Sequence, residues 1–411
     1  MTSLSAQTRA VLRHPNLLFF ISARFLATLA AQIQVVAVGW QMYDITGDPL
    51  DLGLIGLSQF IPFVTLILPA GHAADHHNRS RIVTSCYFTN AVCALALLLI
   101  TLGGMQSVWP VFIAMMLLGA ARAFSMPAAQ SVLPNLVPVD SFKRAVALNS
   151  SSLQFANIIG PAVGGVLYLA GPSVVYASVM VLALAAALLM FQIRGATEQS
   201  NLTREPLSME NLLSGLKFVR SRPIVFGAIS LDLFAVLFGG ATALLPMFAS
   251  DILHAGPAGL GLLRTAPGIG AAACGLLLAL SPISRHVGPW MFGGVAVFGV
   301  ATIVFGLSTN FYLSMLALIV LGAADMVSVY VRHLLVQLDT PDFIRGRVSA
   351  VASVFIGASN EFGDFESGLM AKWWGAVRAV VIGGVATLVV TGLWARLFPV
   401  LWKMQTFPEK K

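Results

Sequence analysis

Charge is scarce in this chain. Only 10% of its 411 residues are Asp, Glu, Lys or Arg, against 57% that are apolar. So few polar side chains cannot clothe a water-soluble domain, which excludes a soluble globular enzyme and makes lipid the solvent. Cysteine is nearly missing too, with three residues in all. Cys86 and Cys93 share one face of one apolar run and Cys274 lies in another, so they read as small apolar packing, and neither a disulfide nor a redox role is expected. No Gly-rich phosphate loop closes with Gly-Lys-Ser or Gly-Lys-Thr, so ATP is not the direct energy source and a gradient must drive the protein. No nucleophile stands with a base and no convincing metal constellation is found, which argues against an enzyme and against a cofactor. The formal charge of +7 is spread over many short loops and forms no stripe, so no nucleic-acid partner is expected.

What the chain has instead is long apolar runs. About twelve are long enough, at roughly 20 residues, to cross a hydrocarbon core as helix. They are Leu17–Met42, Leu52–Ala74, Ile82–Leu102, Trp109–Leu133, Ala145–Leu169, Val174–Ile193, Ile224–Ala249, Gly259–Pro282, Trp290–Leu307, Phe311–Leu335, Val348–Ala371 and Ala376–Leu401. The first is full length and lacks a small-residue cleavage pattern, so it reads as a span and not as a signal peptide. Eighteen Lys and Arg residues, from Arg9 and Arg13 through Lys143 and Arg144 to Lys410 and Lys411, fall on one side, and only Lys372 and Arg378 on the other. Short basic loops stay in the cytoplasm, so both termini are expected there, in a multi-pass protein of a bacterial-type cytoplasmic (inner) membrane. One long connection on that side, Arg194–Arg222, carries Met209, Leu212, Leu213, Leu216 and Val219 at helical spacing, which predicts a short amphipathic helix. Three parts follow: a bundle over 1–195, a linker over 196–222 and a second bundle over 223–411. The Asn201-Leu202-Thr203 acceptor pattern lies in this cytoplasmic linker, out of reach of glycosylation.

The two bundles are related. Leu118–Gly165 aligns with Leu321–Gly368 at a constant offset of 203, and 12 of the 48 pairs are identical, among them Gly119, Arg144, Asn157, Gly160 and Gly165. A duplicated bundle of membrane helices implies parallel repeats with a site between them, the build of many secondary transporters.

Three local patterns stand out. Between the second and third runs lies Gly71-His-Ala-Ala-Asp75-His-His-Asn78-Arg79-Ser80-Arg81; in the fifth run lies Gly160-Pro161-Ala162-Val163-Gly164-Gly165; and a looser set comprises Asp44–Leu50, Met126–Gln130 and Ala358–Gly368. With these patterns the chain resembles, over essentially its whole length, a twelve-helix transporter of the major facilitator superfamily, in its branch of drug and siderophore exporters. The first pattern is similar to the superfamily's loop motif but departs from it at Ala73, His76 and Asn78. It accounts for the metal-like spacing of His72, His76 and His77 with Asp75, which is therefore not read as a metal site. The resemblance implies that Asp75, Arg79 and Arg81 latch the cytoplasmic ends of the two halves. Arg345 and Arg347 at the start of the eleventh helix are the complementary charges, where dipole and cations together stabilise a carboxylate; the alternative is a cluster that merely retains the loop in the cytoplasm. The second pattern resembles the superfamily's antiporter motif, with Gly160, Pro161, Gly164 and Gly165 shaping a tightly packed, bent helix. The branch implies a proton-coupled exporter of a siderophore or an amphipathic drug, driven by the proton gradient and needing no cofactor. An importer of small organic solutes and a non-transporting sensor are the alternatives.

Charges inside the apolar runs mark the candidate pathway: Arg24, Arg122, Arg264, Arg332, Asp232, Asp325, Glu361, Asp364 and Glu366. Each costs about 2.5–3.5 kcal/mol at a helix centre facing lipid, so they must face each other or water. The offset sets Arg122 opposite Asp325, and aligning His14-Pro15 with Arg222-Pro223 sets Arg24 opposite Asp232. In the family the first, fourth, seventh and tenth helices line the central path. The expectation is a layer in which Arg24 and Arg122 of one half face Asp232 and Asp325 of the other; static salt bridges within each half are the alternative. The eleventh helix holds a second acidic group, Glu361, Asp364 and Glu366, together with Asn360, the repeat mate of Asn157; Glu361 and Asp364 share a face and are candidate proton sites, partners of Arg264 or attractors of a cationic solute. Phe19, Phe25, Phe63, Phe234 and other rings along these helices pack against neighbours or line an aromatic pocket. The partners implied are a small-molecule substrate and the lipid bilayer, with the protein acting as a monomer.

Overall fold

A computed structural model describes residues 14–104, 107–193 and 209–408, and among these every regular element is a helix. The first six are α1 (Pro15–Thr46), α2 (Pro49–His76), α3 (Arg79–Leu102), α4 (Trp109–Val132), α5 (Val139–Tyr168) and α6 (Pro172–Phe191). After a 13-residue helix, α7 (Met209–Ser221), the chain continues as α8 (Pro223–Phe238), which runs on through a 3₁₀ turn, a turn of α-helix and a π turn to Ile252. Then follow α9 (Gly256–Leu280), α10 (Val287–Leu307), α11 (Phe311–Asp339), α12 (Asp342–Trp374), α13 (Ala376–Leu397) and the single turn α14 (Pro399–Trp402).

Local chemistry sets the helix ends. Asn78 accepts from the Arg81 N–H to cap α3, and Asn310 accepts from the Tyr312 and Leu313 N–H groups to cap α11. Asn78 is one of the three departures from the loop motif, and here it starts a helix. Gly171 and Gly375 hold positive φ, +105° and +82°, at the turns into α6 and α13, where a side chain would be strained.

Among the described residues, ten helical stretches are long and apolar enough to cross a membrane. The expected runs at 145–169 and 348–371 are also helical, in α5 and α12, but fall short by composition. Ser150, Ser151, Ser152, Gln154 and Asn157 interrupt the first, and Glu361, Asp364 and Glu366 the second. Many large side chains on the other helices point outward, such as Leu99, Phe191 and Leu280 at 60%, 71% and 74% exposure, as lipid-facing surfaces require.

The chain divides into two compact units, Met1–Gln41 with Ser58–Leu207 and Met42–Leu57 with Ser208–Lys411. The turn between α1 and α2 therefore belongs with the second unit. The first unit closes around Leu17, Phe20, Val83, Val132 and Met190, drawn from α1, α3, α4 and α6. The second closes around Leu231, Met291, Phe292, Val331 and Leu335, drawn from α8, α10 and α11. The linker helix α7 lies on α12: a Cβ at Gly215 would stand 2.8 Å from the Arg347 carbonyl oxygen, and Arg347 donates to Ser214 Oγ at 3.1 Å.

Candidate polar site within the helical units

In the first unit, α1 and α5 run together in steps of eight residues. Arg24 donates to Asn149 Oδ1 at 3.2 Å, and Gln32 donates to Asn157 Oδ1 at 2.9 Å. Eight residues are slightly more than two helical turns, so both pairs fall on one seam. The glycine motif continues that seam. A Cβ at Gly160 would collide with Gln32 Cβ, and one at Gly164 would lie 3.0 Å from Ile33 Cα. Pro161 and Gly165 are buried beside them. The motif thus lets α5 press its backbone onto α1. Arg24 also lies over the Phe20 ring, 5.6 Å from its centroid, and Phe25 stacks on Phe155. On α4, the Arg122 guanidinium lies 5.3 Å from the Phe63 centroid of α2. Gly119, one turn earlier, abuts the Gln59 carbonyl, and its repeat mate Gly322 abuts the Pro267 carbonyl in the second unit.

The second unit repeats the seam: a Cβ at Gly363, the mate of Gly160, would come 2.7 Å from the Leu237 carbonyl of α8. Asn360 does not repeat the bond of Asn157; it is exposed on α12 and makes no hydrogen bond among the described residues.

Asp232 on α8 forms an ion pair with Arg332 of α11, and Ser328 Oγ donates to its other carboxylate oxygen at 3.4 Å. Both members of the pair are 4% exposed. Asp325 lies one turn before Ser328 on the same face of α11, half-buried and without a hydrogen bond among the described residues. Asp232 repels it and Arg332 attracts it. The expected partner of Asp232 was Arg24; its partner is Arg332, in its own unit, and this corrects the reading from the repeat. The repeat mate of Arg332 is Ala129, so matching mates by offset has no means of finding that pair. What signals it is the heptad spacing of Asp325, Ser328 and Arg332 on α11, which puts all three on one helical face.

A second polar group gathers on α9 and α12. Asp364 acts electrostatically on both Glu361 and Arg264. The side chains of Glu361 and Asp364 lie against α2 at Gly56, where an added Cβ would stand 2.8 Å from Glu361 Oε2 and 3.8 Å from Asp364 Cβ. Arg264 Nε is enclosed and meets no acceptor among the described residues.

Of the loop-motif residues, Arg79 donates to the Ala74 carbonyl at 3.2 Å and to the Ser131 carbonyl at 3.5 Å, placing its charge against the C-terminal ends of α2 and α4. Arg81 is exposed. The side chains of Asp75 and Arg345 lie outside the described residues. His76 and His77 turn back to the carbonyls of His72 and Ala73.

Contacts that hydropathy does not reveal surround the α1–α2 turn: Tyr43 donates to Asp251, and Lys372 donates to Asp48 Oδ2 at 2.5 Å.

The sequence model of a family described as transmembrane secretion effector matches residues 6–406. The enterobactin exporter EntS of Citrobacter koseri is 24% identical over 378 residues, covering 91% of this chain and 86% of its own. YfiS of Bacillus subtilis, described as an uncharacterized MFS-type transporter, is 23% identical over 398 residues, covering 92% of each chain. Among solved structures, a bacterial homologue of the human lysosomal transporter Spinster, inward-facing and unoccupied, superposes with a TM-score of 0.77 at 14% identity over 95% of this chain and 98% of its own. The nucleoside transporter NupG gives 0.68 at 15% identity over 95% and 99%.

Proposed function

This chain belongs to the transmembrane secretion effector family of major facilitator transporters, and on that premise we propose that it is a proton-coupled exporter of an amphipathic small molecule. Twelve helices cross the membrane as two six-helix bundles, 1–195 and 223–411, with α5 and α12 completing the set of ten apolar spans. Both termini lie in the cytoplasm, at the cytoplasmic (inner) membrane. The bundles work by alternating access, and relatives named for enterobactin export favour a siderophore-like solute.

The observation that carries this reading is Asp325. It is a half-buried carboxylate with no hydrogen-bond donor of its own among the described residues, one helical turn from a buried Asp232–Arg332 pair. Protonating it removes its repulsion from Asp232, and releasing the proton restores that repulsion, so one proton changes the balance of charge between α8 and α11. Arg24 and Arg122 supply the opposite sign on the first bundle. The Gly160–Gly165 seam lets α5 and α1 move as one packed pair and seals the bundle. Asp75, Arg79, Arg81, Arg345 and Arg347 latch the cytoplasmic ends.

Inverted membrane vesicles test the reading. A fluorescent amphipathic dye is expected to accumulate inside them when the membrane is energised and to leave when a protonophore is added. Uptake confined to right-side-out vesicles, or indifferent to the protonophore, contradicts it.

A further inference from the structure

Among the described residues Arg264 is a guanidinium without a hydrogen-bond partner. It lies on α9 eight residues from the start of the helix, about 12 Å along its axis at 1.5 Å per residue. Its Nε–H is fully enclosed and has no acceptor. No other hydrogen bond or ion pair from Arg264 occurs among the described residues; its one electrostatic partner is Asp364. Arginine is a rigid planar fork of five donors, suited to a planar oxyanion held by two parallel bonds. A guanidinium with one enclosed, unsatisfied N–H and no acceptor on its open nitrogens leaves those nitrogens available to an acceptor brought in from outside.

The surroundings fit a polar visitor. Arg264 retains some exposure, so its outer nitrogens are open while Nε is not. Asp364 is close enough to attract it but does not bond to it, and Gly56 gives the Glu361 and Asp364 side chains room against the α2 backbone. The cluster is separate from the Asp232–Arg332 pair and has no part in the proton step argued above.

We infer that Arg264 is the anion-recognition subsite of the transport path, binding a carboxylate or similar planar oxyanion on the exported solute, with Asp364 as the counter-charge the solute displaces. This deepens the export reading and rests on it, since it names the class of solute carried. The same chemistry is offered by an anionic lipid headgroup, but the position of Arg264 eight residues into α9 favours a free solute.

The test uses the full chain in nanodiscs and two probes of matched shape, salicylate and its neutral amide salicylamide, measured by equilibrium dialysis. The unaltered chain is expected to prefer salicylate by about tenfold or more, as a charge-assisted bidentate pair requires. Arg264→Gln should bring that ratio to about one, and Arg264→Lys, which keeps the charge but not the fork, should leave it in between. Asp364→Asn removes the competing carboxylate and should tighten salicylate binding while Arg264 is intact; this variant keeps the test decisive if the arginine variants fold poorly. Equal affinity of the unaltered chain for both probes overturns the inference, as does a ratio unchanged in Arg264→Gln or salicylate binding no tighter in Asp364→Asn. Nanodiscs with and without phosphatidylglycerol distinguish the sources: equal salicylate binding supports a solute site, and strong competition by the anionic lipid overturns it. Flux in proteoliposomes is read separately. A protein that binds salicylate through Arg264 but carries neither probe keeps the subsite and loses the export reading; one that carries both probes equally well keeps export and loses the subsite.

Discussion

Asp232 and Arg332 are each 4% exposed and depend on one another. Removing one member of such a pair leaves the other charge buried and alone, at a cost of about 3–5 kcal/mol, whereas replacing both with apolar side chains of similar volume is often neutral. Asp232→Asn is therefore expected to lower the thermal unfolding midpoint of the purified protein strongly, while Asp232→Leu with Arg332→Met regains most of it. Equal loss in the single and double variants would show that the pair is held for another reason. The intramembrane charges themselves were legible in the sequence, because any ionised group in an apolar run demands a partner. Their pairing was not. The repeat relates Arg24 to Asp232, but contact is decided by which faces of α8 and α11 meet, and the heptad spacing of Asp325, Ser328 and Arg332 marks only the α11 face.

Helix pairs show the reverse balance. Gly160 and Gly363 were visible as repeat mates in the sequence, and in the structure they meet α1 and α8, within the first and the second unit. Gly160→Leu forces a branched side chain into Gln32 and is expected to cost about 1–3 kcal/mol through overpacking. Thermal unfolding should register that loss; a midpoint equal to that of the parent would mean that the seam is loose. The apolar runs gave the helices their rough positions, but the helices overshoot the runs at many ends, since capping by Asn78 and prolines at first-turn positions extends them past the apolar stretch. The amphipathic spacing found at 209–219 corresponds to α7, but its docking on α12 through Gly215 has no signature in spacing alone.

The α1–α2 turn makes a prediction in pH. Burial pushes the Asp48 carboxyl up, but hydrogen bonds from Lys372 and from the Leu50 N–H outweigh it and hold it below the usual carboxylate range. A depressed carboxylate stabilises at pH above its unfolded value, and the contribution is lost as pH falls through its folded value. Cleavage at this turn by an acid-active protease should therefore accelerate below about pH 4, and Lys372→Gln should move that onset upward. An onset unmoved by Lys372→Gln would show that the tether does not hold the turn.

At the scale of the whole molecule, scarcity of charge, long apolar runs and an internal repeat were enough to recognise a multi-pass transporter, and the family match over residues 6–406 agrees. The proposed direction, solute and coupling rest on a few polar side chains, and composition says nothing about those. Among them, Asp325 is the side chain proposed to carry the coupling proton. The most direct measurement is solute efflux from proteoliposomes under an imposed pH gradient, with the parent and Asp325→Asn reconstituted side by side. The gradient should accelerate efflux by the parent and leave the variant at its rate without a gradient, while both exchange solute equally in its absence. An Asp325→Asn protein that responds to the gradient as fully as the parent would contradict it.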